Sequence, residues 1–249
     1  MTLVVLGLAA LLVGFLIGTV GVGGVLLAPA LILIGRVEPH QATAVSLISF
    51  TFAGVISAAM YWRGNDFPGA LIRALAIGLL PGAFLGGWLS SRIPDVVILA
   101  ALSAVSLFSA LWIVAGPAAR TAERNDLTKA TAAPLGLGIG FGSAVTGTSG
   151  PVLLTPTLMA LNFPTRRAIA VGQIIQVFVT PAGSFGYLVR SRPELPLVVV
   201  LATATAVGTG VGIYASRRLR LSESFLRVLV IALLIATGAL VAIKLAGRL

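Results

Sequence analysis

The chain contains no cysteine, a single histidine and few charged residues. Of its 249 residues only 10% are charged, 58% are hydrophobic, and the mean hydropathy is +1.08. Soluble domains carry about 25% charged residues, so this composition indicates an integral membrane protein. The absence of cysteine excludes disulfides, thiolate metal sites and redox centres. With one histidine and no thiol, little is left for acid–base or metal chemistry, so we expect no enzyme activity, no cofactor and no metal.

Carboxylates are also scarce. The chain has seven Asp and Glu residues, and all of them fall in connections or at the ends of apolar runs. Cation and proton-coupled transporters commonly carry an Asp or Glu within the membrane, so the sequence argues against cation transport and a buried carboxylate relay. The net charge of +10 comes from Arg and Lys in short connections, where such residues contact lipid headgroups. No nucleic-acid partner is therefore expected. His40 follows Pro39 in a short turn and is interpreted as an interfacial ring rather than a proton relay.

Apolar runs alternate with short polar connections along the chain. Six runs have about 20 residues, the length a helix needs to cross the hydrocarbon core, and two others are about half as long. The sequence therefore predicts an all-α polytopic membrane protein. The runs occupy roughly 3–20, 25–35, 41–62, 69–89, 95–115, 132–147, 151–161, 168–189, 195–215 and 224–246.

A glycine-rich stretch interrupts the first apolar region. It reads Gly18-Thr19-Val20-Gly21-Val22-Gly23-Gly24, and Pro29 follows within five residues. Glycine and proline disfavour a continuous helix, and within a membrane such a break is tolerated only where protein or a water-filled cavity covers the freed backbone groups. Discontinuous helices form the substrate sites of many transporters. A close helix–helix contact or a plain loop between two spans are the alternative interpretations.

The break recurs in the second half of the chain as Gly147-Thr148-Ser149-Gly150-Pro151, again followed by a proline, Pro156. A shift of about 126 residues aligns the two halves through Ala42 and Ala168, Tyr61 and Tyr187, Gly82 and Gly208, Gly86 and Gly212, Ser90 and Ser216, and Arg92 and Arg218. We therefore predict two homologous repeats, 1–116 and 132–249, joined by a polar linker, 117–131. A break duplicated at matching positions points to a binding site near the membrane midplane.

The basic residues favour one orientation. If the chain passes straight through each break, they divide nine to eight between the two sides and specify nothing. If the chain turns back at each break, they divide six to eleven, which satisfies the positive-inside rule. This arrangement has about five segments in each half, so the repeats are inverted, both termini lie outside, and the linker is cytoplasmic.

Neutral polar side chains stand out within the apolar runs. Ser and Thr in membrane helices often bond to a carbonyl one turn earlier, so a purely local role is the alternative for each of them. Gln173 and Gln176 bury full amides on one helix face and must face protein or a cavity, either as ties between helices or as substrate contacts. The 126-residue shift sets them against Leu47 and Phe50, so a site lined by both is asymmetric.

Two further patterns have structural interpretations. Glycines repeat every four positions at Gly78, Gly82 and Gly86, and again at Gly208 and Gly212, which predicts close helix packing. Aromatic residues end two matching runs and are interpreted as interfacial belt residues; these are Tyr61, Trp62 and Tyr187.

The segment Gly14–Gly24, followed by Ala28-Pro29, resembles the opening signature of the TauE/SafE sulfite exporter family. Ala42–Leu47 and Leu80–Gly86 are similar to its A-x-A-x-S-L and P-G-A-x-x-G stretches. The second half departs from the family pattern, since Gly147–Pro151 replaces a repeated G-x-G-G-G and Gly172-Gln173 replaces Thr-Ser. The resemblance implies a multi-pass permease of the bacterial inner (plasma) membrane that moves sulfite, another sulfur oxyanion or an organosulfonate.

Together these observations predict a secondary transporter that carries a small anion by alternating access at a midplane site. A channel-like passive anion pore and a carboxylate transporter of the same fold are the alternatives. The expected partners are the anion and the lipid bilayer, and a homodimer is left open. Helix N-termini after the breaks present N–H groups suited to an oxyanion. We expect substrate contacts from Thr19, Gly21, Gly23, Ser46, Thr148, Ser149, Gly150, Gln173 and Gln176.

Overall fold

The computed structural model describes residues 2–21, 23–62, 69–90, 92–115, 127–189, 192–219 and 222–246, and all regular structure in these ranges is helical. The helices are α1 Thr2–Val20, α2 Leu27–Leu33, α3 Pro39–Trp62, α4 Gly69–Ser90, α5 Asp95–Ala115, α6 Lys129–Thr146, α7 Pro151–Ala160, α8 Thr165–Leu188, α9 Leu195–Leu219 and α10 Glu223–Ala246. A 3₁₀ turn, Gly23–Leu26, precedes α2. Five described helices, α1, α3, α4, α8 and α9, are long and apolar enough to cross a membrane. The predicted all-α polytopic fold is confirmed.

At the first glycine-rich break the chain turns back along α1. Gly21 takes a φ of +79°, a conformation that glycine adopts without steric penalty. A Cβ on Gly23 would lie 2.7 Å from the Val13 carbonyl oxygen, and one on Gly35 would lie 3.1 Å from Leu6 Cδ1. Residues that follow the break therefore return past α1 towards its N-terminal end.

The second break has the same character. α6 ends at Gly147, in the left-handed conformation with a φ of +68°, and Gly150 has a φ of +97°. α7 then begins at Pro151, where a missing N–H leaves no donor unpaired. A Cβ on Gly142 would lie 3.0 Å from Leu153 Cδ1, so α7 runs back beside α6. The two apolar runs of about half length, 25–35 and 151–161, thus follow the breaks and form the short helices α2 and α7.

α3 and α8 cross the centre of the bundle side by side and antiparallel. Ser57 donates a hydrogen bond to Gln173 at 3.2 Å. Three residues earlier on α3, a Cβ on Gly54 would lie 2.9 Å from the Cβ of Gln176. At the other end, a Cβ on Gly183 would lie 3.4 Å from Leu47 Cδ1. Rising residue numbers on α3 thus meet falling numbers on α8.

The remaining long helices pack through glycine-lined contacts between the two halves of the chain. α1 packs on α9 and α4 packs on α6. A Cβ on Gly212 would lie 3.0 Å from the Phe15 carbonyl carbon, and one on Gly82 would lie the same distance from that of Leu137. The prediction that these glycines serve close helix packing is confirmed.

Two details differ from the sequence-based expectations. Residues 117–126 of the predicted linker lie outside the described residues, while its last residues, from Lys129, form the first turn of α6. The assignment of Tyr187 to an interfacial belt is wrong, because its side chain is fully buried and its hydroxyl forms a hydrogen bond with Ser90. Sequence position at a span end does not reveal that α4 covers this residue.

Candidate functional site

The two glycine-rich breaks contact each other at Gly24 of the first break and Ser149 of the second. A Cβ on Gly24 would lie 3.0 Å from Ser149 Cβ, still closer to the Ser149 hydroxyl, and 3.5 Å from Phe50 Cε2. The 3₁₀ turn of the first break therefore touches the second break directly, beside the middle of α3. Only a residue without a side chain fits at position 24 without displacing Ser149.

Gly21 of the first break and Gly147 of the second lie towards opposite ends of the central pair of helices, α3 and α8. A Cβ on Gly21 would lie 3.2 Å from Ile169 Cγ2 and 3.7 Å from Gln173 Cγ, near the start of α8. A Cβ on Gly147 would lie 3.0 Å from the Cα of Thr43, near the start of α3. Because α3 and α8 are antiparallel, these two contacts lie at opposite ends of the pair, on either side of Gly24 and Ser149.

Gln176 lies on the face of α8 between the two breaks. Ile169 and Gln173 face Gly21, whereas Ile175 and Val179 face Gly150, with Ile175 Cδ1 at 3.2 Å from a Cβ placed there. With 3.6 residues per turn, position 176 falls between these two directions. Its side chain is fully buried, and neither the amide nitrogen nor the amide oxygen has a hydrogen-bond partner within the chain.

Other buried hydroxyl groups near the breaks also lack partners within the chain. Ser149 belongs to the second break, Ser46 lies on α3 between Thr43 and Phe50, and Thr155 of α7 contacts Gly172 of α8. Leaving one buried polar group unpaired costs about 1–3 kcal/mol, so several together indicate that a ligand or water satisfies them. Ser143 and Ser184 are unpartnered in the same way.

The polar groups of this region are uncharged. Apart from the Tyr187 hydroxyl, the buried polar side chains in the described part of the chain are all Ser, Thr or Gln. Among these residues no cluster of His, Asp or Glu could hold a metal ion. α7 begins directly after Gly150, so the positive end of its dipole lies beside Ser149. The region can therefore donate hydrogen bonds to an anion without a formal counter-charge.

Gln173 has a different environment from Gln176. Its amide nitrogen donates to the carbonyl oxygen of Gly18 at 3.2 Å, and its amide oxygen accepts from Ser57 at 3.2 Å. Both amide groups are thus used within the chain, and the residue ties α8 to the end of α1 and to α3. Of the two roles left open by the sequence, this geometry favours a helix tie for Gln173 and ligand contact for Gln176.

The hydroxyls of the predicted threonine contacts are occupied locally. Thr19 donates to the carbonyl oxygen of Phe15 at 3.0 Å, as Ser and Thr commonly do within helices. Thr148 pairs with Thr146 across 3.1 Å. Gly23 packs against α1 and contributes space rather than a donor side chain. The central group of predicted residues is therefore Ser149, Gly150 and Gln176, with Ser46 towards the end marked by Gly147.

Sequence reasoning missed three residues of this region: Gly24, Phe50 and Thr155. The 126-residue shift sets Gly23-Gly24 against Ser149-Gly150, and this alignment was the available signal for Gly24. Phe50 was visible only as the position matched to Gln176 by the 126-residue shift. Nothing in the sequence marks Thr155, because its role depends on α7 lying against α8.

A separate groove of about 650 Å³ lies between the start of α3 and the start of α5. It is lined by Arg36, Glu38, His40 and Asp95 among others, and His40 Nε2 lies 3.2 Å from Asp95 Oδ1. Both side chains are about one-third exposed, at 31% and 34%. The groove lies at one end of the bundle, apart from the contact between the breaks.

The chain is similar in sequence to known membrane transport proteins. The model of the family described as Sulfite exporter TauE/SafE matches residues 6–241. The chain is also 38% identical over 79 residues to a protein of Bacillus subtilis (strain 168) named "Probable membrane transporter protein YjnA". That match covers 31% of each chain, so it spans about a third of the relative.

Proposed function

The chain belongs to the TauE/SafE sulfite exporter family, a family of membrane transporters, and we propose that it carries a small sulfur-containing anion by alternating access. As a member of this family it is a multi-pass protein of the bacterial plasma membrane and not an enzyme. The proposed substrates are sulfite, a related oxyanion or an organosulfonate. The observation that carries the proposal is the contact between the two breaks beside an unpartnered, fully buried Gln176.

We propose further that residues 1–116 and 132–249 are inverted repeats that rock against each other around this site. The helix contacts support this, because the first helix of each half packs on the fourth helix of the other, α1 on α9 and α6 on α4. The third segments of the two halves, α3 and α8, pack together antiparallel, as a two-fold axis in the membrane plane requires.

The chemistry of the central region favours an anion. Gln176 offers two N–H donors, Ser46 and Ser149 offer hydroxyls, and the start of α7 offers its dipole. An oxyanion of three oxygens accepts several such hydrogen bonds at once. Because no carboxylate lies among the described buried residues, a cation would find no anionic ligand there. A proton moved together with the anion would travel on the anion itself.

The test is uptake into proteoliposomes, with radiolabelled sulfite competed against sulfate, taurine-like sulfonates and small carboxylates. We expect saturable sulfite flux, competed best by other sulfur anions. Flux that fails to saturate would favour a passive pore, and preferential competition by carboxylates would overturn the proposed substrate class.

The Gln176→Leu variant addresses the site. Loss of its donors should reduce sulfite transport at least tenfold, since one hydrogen bond to a charged group contributes about 1.5–3 kcal/mol. Gln41→Leu is the matched control, because Gln41 lies in the first turn of α3 and is only partly buried. Wild-type transport by Gln176→Leu would remove this residue from the site.

A further inference from the structure

Gln173 closes a polar contact between the two halves of the chain. Its amide joins α8 to the last turn of α1 through the Gly18 carbonyl oxygen and to α3 through the Ser57 hydroxyl. All three residues are buried, and Gln173 and Ser57 are fully so. We call this group, Gly18, Ser57 and Gln173, the amide clasp.

The same positions in the other half of the chain are apolar. The 126-residue shift converts Gly18, Ser57 and Gln173 into Ala144, Gly183 and Leu47. These three residues also meet in space, because a Cβ on Gly183 would lie 3.1 Å from Ala144 Cβ and 3.4 Å from Leu47 Cδ1. The chain thus contains two matched contacts of the same geometry, one made by hydrogen bonds and one by methyl groups.

The two contacts lie on opposite sides of the candidate site. Leu47 and Ser57 are ten residues apart on α3, which corresponds to about 15 Å along a helix. Phe50, which contacts Gly24, and Gly54, which contacts Gln176, lie between Leu47 and Ser57 on α3. The clasp is on the side where Arg217 donates to the Met60 carbonyl oxygen at 2.8 Å. The apolar contact is on the side of the Tyr187 and Ser90 pair, which lies farther from the centre.

We propose that Gln173 is a positioning residue. It stabilises the closed state of one of the two sides of the protein that open alternately. This proposal rests on the proposed alternating-access function. Opening the clasp side separates α8 from α1 and α3, so both hydrogen bonds of the amide break, whereas opening the opposite side breaks only apolar contact at the matched layer. Gln173 therefore sets the balance between the two open states and does not touch the substrate.

Cysteine labelling tests this directly, since the native chain has no cysteine. Ile169→Cys reports on the clasp side, where Ile169 is 4% exposed and faces Gly21. Ser184→Cys reports on the apolar side, where the Ser184 hydroxyl has no partner within the chain to lose. Each reporter is placed in an otherwise wild-type chain, reconstituted in nanodiscs without any anion substrate, and labelled with a small water-soluble maleimide.

Adding Gln173→Leu should raise the labelling rate of Ile169→Cys about tenfold and lower that of Ser184→Cys. Each hydrogen bond between membrane helices changes an equilibrium constant about threefold, so losing two shifts the balance by about tenfold. Ser57→Ala removes one bond and should give a change of about threefold in the same direction, even if Gln173→Leu fails to fold. Gln41→Leu is the control and should change neither rate.

The outcomes separate this proposal from the proposed function. Unchanged Ile169→Cys labelling in folded Gln173→Leu or Ser57→Ala protein overturns the clasp, and it leaves saturable sulfite transport in proteoliposomes untouched. Rates that rise together at both reporters also overturn it, because they indicate a generally loosened bundle. A rise at Ile169→Cys with a fall at Ser184→Cys supports the clasp, whichever anion the transport assay identifies.

Discussion

Replacing Gly24 with alanine should separate the two breaks at the point where they touch. Gly24 does not have a positive φ, so alanine can adopt the backbone conformation at this position. The added methyl group would lie 3.0 Å from Ser149 Cβ and closer still to the Ser149 hydroxyl, with Phe50 Cε2 at 3.5 Å on another side. The effect of the substitution is therefore steric and falls on the candidate site.

The magnitude follows from how the neighbours can yield. The Ser149 hydroxyl can rotate away, but its Cβ is fixed by the backbone of the break, so Ser149 and Gly24 must move apart by a few tenths of an ångström. Inserting a methylene-sized group into a packed interior costs about 1–3 kcal/mol. If that strain acts on the substrate-bound state, it corresponds to a loss of about five- to 150-fold in affinity.

The assay is the concentration dependence of sulfite uptake in proteoliposomes, with the midpoint of thermal unfolding in detergent measured in parallel. Gly138→Ala is the matched control, because a Cβ on Gly138 meets no atom within 4 Å and the residue lies in the middle of α6. Alanine there should leave transport unchanged. Gly24→Ala should weaken transport much more than it lowers the unfolding midpoint.

Normal affinity and rate in folded Gly24→Ala protein would refute this reasoning. That result would mean that the contact between the breaks does not shape the binding site. If the loss of sulfite uptake is matched by a comparable loss of stability towards thermal unfolding, Gly24 would instead be assigned to general packing.

Two further predictions concern stability. Gly78→Ala should lower the unfolding midpoint in detergent, because its Cβ would lie 2.5 Å from the Leu137 amide nitrogen, which belongs to backbone that cannot rotate away; a cost of about 1–3 kcal/mol is expected, and an unchanged midpoint would contradict the close α4–α6 contact. Tyr187→Phe removes the partner of the buried Ser90 hydroxyl and should destabilise the protein by about 1 kcal/mol; greater stability would argue against this hydrogen bond.

Much of the architecture could be predicted because it depends on local composition. Uninterrupted apolar runs of about 20 residues have few alternatives to a helix in lipid, where every backbone group must be satisfied internally. The glycines and Pro151 marked where α1 and α6 end, since positive φ values and a missing N–H are properties of single residues. The family signature at Gly14–Gly24 was recognisable because it is also a local pattern of residues.

The candidate site was less predictable because it depends on which helix faces meet. Gln173 and Gln176 occupy one helix face and look alike in the sequence, yet one amide is bonded to Gly18 and Ser57 and the other has no partner within the chain. Thr19 has the right position in the first break, but its hydroxyl bonds to its own helix. Periodicity assigns a face to a residue and does not say what lies opposite.

The sequence by itself determined that this is an all-helical membrane protein with two glycine-rich breaks, and it indicated the TauE/SafE family. Only the tertiary structure decided that Gly24 and Ser149 touch, that the buried Gln176 amide has no partner within the chain, and that the Gln173 amide bonds to Gly18 and Ser57. The physical reason is that hydrophobicity and backbone preference act within one segment. Pairing of a buried amide depends on helices that are more than 100 residues apart in the chain, as Gly18 and Gln173 are.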